Sequence, residues 1–142
     1  MTTSESGLEL SNREIWQAVI KAWAEGDVTT LERMVDPDLT IVEPDCLPYK
    51  GIFKGPEGYA ELYRQIVAVW DEMEVEKGEL VGGENGQPLV IEYLTTATSR
   101  QTGKRMVREP SLAIWKFRDG KVVSMTPYNF DTARICALLV PD

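Results

Sequence analysis

The strongest constraint on the fold is where the chain changes its apolar period. Helical spacing dominates up to about residue 73, and strand-like runs separated by Gly-rich turns fill the remainder. In the first half a capping-box pattern at Ser11 and Glu14 opens a helix, with Ile15, Trp16, Val19, Ile20 and Trp23 on one face and Gly26 as its stop. Asp27 is suited to cap a second, short helix through Leu31, Met34 and Val35, ended by Pro37. Leu39 to Glu43 is β-branched and reads as a strand closed by Pro44. A Pro- and Gly-rich loop of about a dozen residues follows, PDCLPYKGIFKGPEG, a length that marks binding loops or lids. Pro56 then suits the first turn of a third helix, which keeps its spacing through Tyr59, Leu62, Tyr63, Ile66, Val69 and Trp70 to about Met73.

Four strands are expected after that, at Val75 to Val81, Pro88 to Arg100, Lys104 to Arg118 and Lys121 to Phe130. The last two are joined by an Asp119-Gly120 hairpin turn, and Asp131 is suited to cap a terminal helical turn. Helices first and a long meander second make an α+β domain. The expected architecture is a cone: a curved antiparallel sheet packed on three N-terminal-half helices, enclosing a pocket with the Pro/Gly loop at its mouth. With 142 residues the chain suits one domain. We assign 11–142 to it, with residues 1–10 as a loose, polar, flexible leader.

Charge and composition then exclude whole classes of function. Fifteen Lys and Arg against 23 Asp and Glu give a net charge of −8, which repels phosphate backbones and anionic lipid, so neither nucleic acid nor a membrane is an expected partner. There is no histidine, which removes Ser-His-Asp and Cys-His catalysis and the commonest metal ligand. Cys46 and Cys136 are too few for a four-thiolate zinc site or a disulfide framework, and we read both as reduced thiols of a cytoplasmic protein. No metal and no cofactor is expected. Carboxylate-driven proton transfer is the simplest chemistry left.

Three stretches, AWAEGDVTTLERMVDPDLTIVEP, KGPEGYAELY and WKFRDGKVVSMTPYNFD, resemble the nuclear transport factor two-like superfamily, and within it the SnoaL-like polyketide cyclases and ketosteroid isomerases. The resemblance covers about residues 12–135. It places Glu43 where the isomerases carry their catalytic aspartate base and matches Tyr63 to a supporting tyrosine on the third helix. The isomerases' oxyanion-hole tyrosine falls at Val19 and their protonated aspartic acid at Ala113, so both of those donors are missing. Limonene epoxide hydrolase is similar in fold, but the closing strand offers Pro127 and Tyr128 where that enzyme's acid is expected. The resemblance also implies a homodimer. So does the sequence around Leu112 and Ile114, where both faces of a strand are apolar and the outer one needs cover.

The candidate residues follow. Glu43, beside apolar Ile41 and Val42, is the expected base, its acidity weakened by the apolar wall. Tyr49 in the mouth loop is the expected hydrogen-bond donor to a substrate oxygen, and Arg108, pointing inward and paired with Glu43 or Glu109, the electrostatic stabiliser. Trp16, Tyr59, Tyr63, Glu109 and Asn129 are expected to contact substrate. Pro110 signals a bulge or edge that leaves open which of Arg105, Arg108 and Glu109 face the pocket, as it is open between Tyr128 and Asn129. The expected function is a cofactor-independent lyase or isomerase/cyclase for apolar or aromatic small molecules, for instance by elimination or carbon–carbon cleavage of an aromatic diol. The alternatives are a non-catalytic ligand-binding module and an epoxide hydrolase.

Overall fold

A computed structural model describes residues 10–142; all but the last residue of the expected leader lie outside the described residues. In chain order the elements are α1 (Asn12–Glu25), α2 (Val28–Arg33), β1 (Val35–Glu43), β2 (Gly51–Lys54), α3 (Gly55–Val69), β3 (Trp70–Gly82), β4 (Leu89–Ser99), β5 (Arg105–Arg118), β6 (Lys121–Asn129) and α4 (Thr132–Ala137). The six strands form one curved, open sheet in the order β2-β1-β6-β5-β4-β3. Every neighbouring pair is antiparallel except β1 with β6. This is the expected α+β cone.

Local chemistry explains the helices. Ser11 and Glu14 form the reciprocal capping box, the Ser11 side chain accepting from the Glu14 backbone N–H and the Glu14 carboxylate from that of Ser11. Gly26 ends α1 in the left-handed conformation at φ 68°, where a side chain would be strained and a Cβ would lie 3.1 Å from the Tyr63 hydroxyl. Asp27 caps α2 and Asp131 caps α4. The apolar stripes of α1 and α3 bury Ile15, Trp16, Val19, Tyr59 and Leu62 against the concave side of the sheet, where they meet Leu39, Ile41, Ile91, Ala113 and Trp115.

Four expectations are corrected. The first strand begins at Val35 rather than Leu39, and Pro37 lies inside it. It is tolerated there because the pairing with β6 is irregular between Val35 and Thr40. The mouth loop is shorter than expected, because Gly51–Lys54 forms β2 on β1, pairing Glu43 with Gly51. The third helix ends at Val69 and Trp70 already begins β3, so Trp70 to Met73 belong to an early strand rather than a last helical turn. The cysteines are not free thiols: Cys46 after β1 and Cys136 in α4 form a disulfide, with Cα atoms 6.1 Å apart. Their 90-residue separation hides this in the sequence, because the folded sheet brings both to the open end of the cone.

Candidate functional site

The concave face of the sheet and helices α1 and α3 enclose a cavity of about 420 Å³. Inward positions follow strand alternation. On β1, Leu39, Ile41 and Glu43 are buried while Val42 between them is exposed, so the carboxylate at the strand's end enters the cavity. On β4 the inward set reaches Tyr93 and Thr95, and on β6 Met125, Pro127 and Asn129. Asn129 therefore faces the cavity and Tyr128 points to solvent, which settles that pair.

On β5 alternation is broken once. Opposite Thr96, residues Val107 and Arg108 occupy the place of one, between the pairs Ala97–Met106 and Thr95–Glu109. Arg108 takes a φ of 49°, and its backbone N–H donates to Thr96 Oγ1 at 3.0 Å. The extra residue keeps both Met106 and Glu109 inward and turns Arg108 out. Arg108 accordingly ion-pairs with Glu76 at 3.1 Å on the surface, away from the cavity. Arg105 is likewise outside, bonded to Thr98 at 3.0 Å. The inward Arg108 expected from the sequence is thus corrected.

Glu43 is 7% exposed, and its carboxylate makes no hydrogen bond or ion pair among the described residues. Burial in apolar surroundings raises its pKa to about 7, because desolvation penalises the charged form. Glu109 is buried as deeply, at 6%, yet its two oxygens accept from Arg134 Nε at 2.9 Å and Nη2 at 2.7 Å. Arg134 comes from α4, whose cap Asp131 also lies 3.5 Å from its guanidinium. The cation beside Glu109 is therefore Arg134, where Arg108 was expected.

Tyr49 lies in the mouth loop with its ring buried, and its hydroxyl oxygen accepts from Trp70 Nε1 at 2.9 Å. That bond uses the oxygen as acceptor and leaves the O–H proton free. Burial, chiefly, pushes the Tyr49 pKa up to about 12, with the nearby Glu43 charge contributing. At neutral pH Tyr49 is a donor. Tyr59 and Tyr63 line the cavity from α3, and Trp23 of α1 meets the Tyr63 ring edge-on at a centroid distance of 4.7 Å. The Tyr59 phenol is held well above its ordinary range by burial. Trp16, expected at the substrate, is instead a core residue behind the wall; its Nε1 donates to the Tyr93 hydroxyl at 3.0 Å.

Residues that sequence reasoning missed include Tyr93, Trp115, Trp23 and the methionines 73, 106 and 125, all at the cavity. For Tyr93 and Trp115 the signal was present, since they share parity with buried Ile91 and Ala113. Arg134 carried no signal beyond its place in a short capped helix. Among the described residues no cluster of three or more His, Cys, Asp or Glu side chains is placed to hold a metal. The cavity wall is largely apolar, with phenol and indole donors and one unpaired carboxylate.

Residues 16–125 match the SnoaL-like domain family. Solved structures share the fold at low identity. An NTF2-like protein of unknown function from Burkholderia pseudomallei K96243 aligns with a TM-score of 0.79 at 21% identity, over 91% of this chain and 97% of its own. A protein from Jannaschia sp. CCS1 named as a SnoaL-like polyketide cyclase aligns with a TM-score of 0.74 at 15% identity, over 92% and 93%. TerC, co-crystallised with polyporic acid, aligns with a TM-score of 0.77 at 23% identity, over 90% and 97%. No curated protein matches the sequence.

Proposed function

This chain belongs to the SnoaL-like domain family, and from that premise we propose that it is a cofactor-independent enzyme that moves a proton on an apolar or aromatic small molecule, with Glu43 as the general base. The observation that carries this reading is the unpaired, buried Glu43 carboxylate at the cavity, its pKa raised to about 7 by burial. A base of that pKa is about half ionised at neutral pH and strong enough in its ionised form to accept a proton from an activated C–H or O–H. Tyr49 supplies a donor to the substrate oxygen that gains charge as the proton leaves. Tyr59, Tyr63 and Trp23 give the ring faces that an aromatic substrate stacks on. Isomerisation, cyclisation and elimination all begin with this step. The polyporic acid in the TerC crystals makes hydroxylated aromatic and quinone compounds the first class to try.

The test is proton exchange. Wild-type protein is incubated in D₂O with a panel of enolisable aryl ketones and diphenols, and deuterium uptake is followed by proton NMR. We expect exchange that falls by about 10²-fold or more in Glu43→Gln while ligand binding is retained. Unchanged exchange in that variant contradicts the assignment.

A second reading, a ligand-binding module without catalysis, is favoured by Val19 and Ala113 standing where related isomerases carry their donors; bound ligands without exchange would support it. We also propose that a second copy of the chain covers the outer sheet face, where Leu112 and its cross-strand neighbour Tyr128 are both exposed. No described helix is long and apolar enough to cross a membrane. The cytoplasmic location expected from the sequence stays a proposal that the disulfide argues against, since such bonds persist mainly in oxidising compartments.

A further inference from the structure

The part of the cavity wall that β4 supplies contains a phenol whose surroundings are unusual. Tyr93 lines the cavity, and its oxygen already accepts the Trp16 indole N–H at 3.0 Å. Trp16 in turn carries the Lys77 ammonium 5.7 Å from its ring centroid, a cation that draws electron density from the indole and strengthens its N–H as a donor. A second indole, that of Trp115, lines the same cavity. Trp115 is 2% exposed, and its Nε1 has no hydrogen-bond partner among the described residues. It nevertheless lies near enough to the Tyr93 phenol to favour its ionised form.

A buried N–H without a partner costs about 1–3 kcal/mol, so a native fold retains one only where something offsets that cost. Tyr93 itself has an acceptor role that is filled and an O–H proton that no described residue accepts. A hydroxyl in that position donates, and donates more strongly because another donor polarises its oxygen. Tyr59 lines the same cavity within electrostatic reach of both Glu43 and Tyr93.

We propose that Tyr93, polarised by Trp16 and flanked by the unpaired Trp115 Nε1, is a second substrate-oxygen donor of this site and selects ligands that present a carbonyl oxygen across the cavity from Glu43. It supplies the function that Val19 and Ala113 lack. The inference rests on the proposed role of Glu43 for its catalytic meaning. As Glu43 takes the proton, the C–H bond breaks, a carboxylic O–H forms, and the electron pair moves onto the carbonyl oxygen as an enolate. Tyr93 then donates to a stronger acceptor, its own oxygen becomes more negative, and Trp115 Nε1 gains the partner it lacks at rest. Tyr93 is the residue that touches substrate. Trp16 and Trp115 are positioning residues that act through it.

The test uses two neutral probes of one shape: acetophenone, and α-methylstyrene, in which a CH₂ replaces the carbonyl oxygen. Binding to the full chain is followed by NMR at neutral pH. We expect Tyr93→Phe to weaken acetophenone about fivefold, the worth of one neutral hydrogen bond, and to leave α-methylstyrene within about twofold. In the unaltered protein, acetophenone but not α-methylstyrene should move the Trp115 indole N–H resonance downfield, assigned through Trp115→Phe. That measurement stands even if Tyr93→Phe fails to fold. Equal losses for both probes, no loss for either, an unmoved Trp115 resonance, or a cavity that admits α-methylstyrene but not acetophenone would overturn the proposal. Because binding involves no proton abstraction, the two assignments fail separately. If exchange survives Glu43→Gln while the probes behave as expected, the base is wrong and the donor stands; with the opposite pair of results the base stands and the donor is wrong.

Discussion

Two glutamates line one cavity at nearly the same depth, Glu43 at the end of β1 and Glu109 just after the bulge of β5. Their chemistry differs because of what stands beside them. Glu109 has both oxygens held by Arg134, so its charge is matched and its lone pairs are occupied. Glu43 has no partner among the described residues and is pushed toward neutrality by burial alone. Burial therefore does not make a base; burial without a cation does. Glu109 is an anchor for α4, and Glu43 is the carboxylate left for the proposed proton transfer.

The supports of the two carboxylates are themselves joined, because Cys46 follows Glu43 by three residues and Cys136 follows Arg134 by two, and the disulfide links them. Opening that bond is the largest way to blur the contrast. For the 90-residue separation it spans, Cys46→Ser should lower the free energy of unfolding by about 4.6 kcal/mol in the chain-entropy account, read by urea denaturation with and without reductant. Reductant should destabilise the parent protein and leave the variant unchanged.

The next effect sharpens the contrast through pH. The folded pKa of Glu43 is about 7, above the ordinary 4.5, so the folded state holds that proton more tightly than the unfolded chain does. The stabilisation this gives is fully present below about pH 4.5 and is lost as pH rises through 7. Glu43→Gln should consequently raise stability by on the order of 3 kcal/mol at pH 8 and change it little at pH 4. Thermal melts at the two pH values check this, and equal shifts at both would break it.

Removing Arg134 instead should convert Glu109 into a buried carboxylate without its cation. Arg134→Ala is expected to destabilise the fold, though less than breaking a fully buried pair would, since the guanidinium is half exposed. Glu109→Gln in the same background should recover part of that loss. A double-mutant cycle by denaturation shows whether the two residues are coupled. The smallest effect is at the mouth. Tyr49→Phe keeps the ring but removes both the donor and the acceptor of the Trp70 Nε1 bond, so exchange should fall about tenfold and stability by about 1 kcal/mol; a loss of stability without a loss of rate would assign Tyr49 to the core.

Much of the fold was legible in the sequence because single residues mark its turns: Ser11 with Glu14, Gly26, Asp27 and the Asp119-Gly120 hairpin each act locally. Glu43 was legible for the same reason, its parity fixed by Ile41 two residues earlier. The failures concern what local rules do not reach. Arg108 was misplaced because the bulge, with its positive φ, adds one residue to the count and reverses every side chain beyond it. Arg134 and the disulfide depend on α4 returning across the open end of the sheet, a contact between segments far apart in the chain. Trp16 sits on the expected helix face, but one layer behind the cavity, where it acts through Tyr93.

The central claim is that Glu43 is poised to take and give a proton near neutral pH. The most direct test is a ¹³C NMR titration of the glutamate side-chain carboxyls, with the Glu43 resonance assigned by its absence in Glu43→Gln. A midpoint for Glu43 at about 7 is the expected result. A midpoint near the ordinary carboxylate value, about 4.3, would mean that water or a cation reaches Glu43 in solution and that this site does not hold a general base.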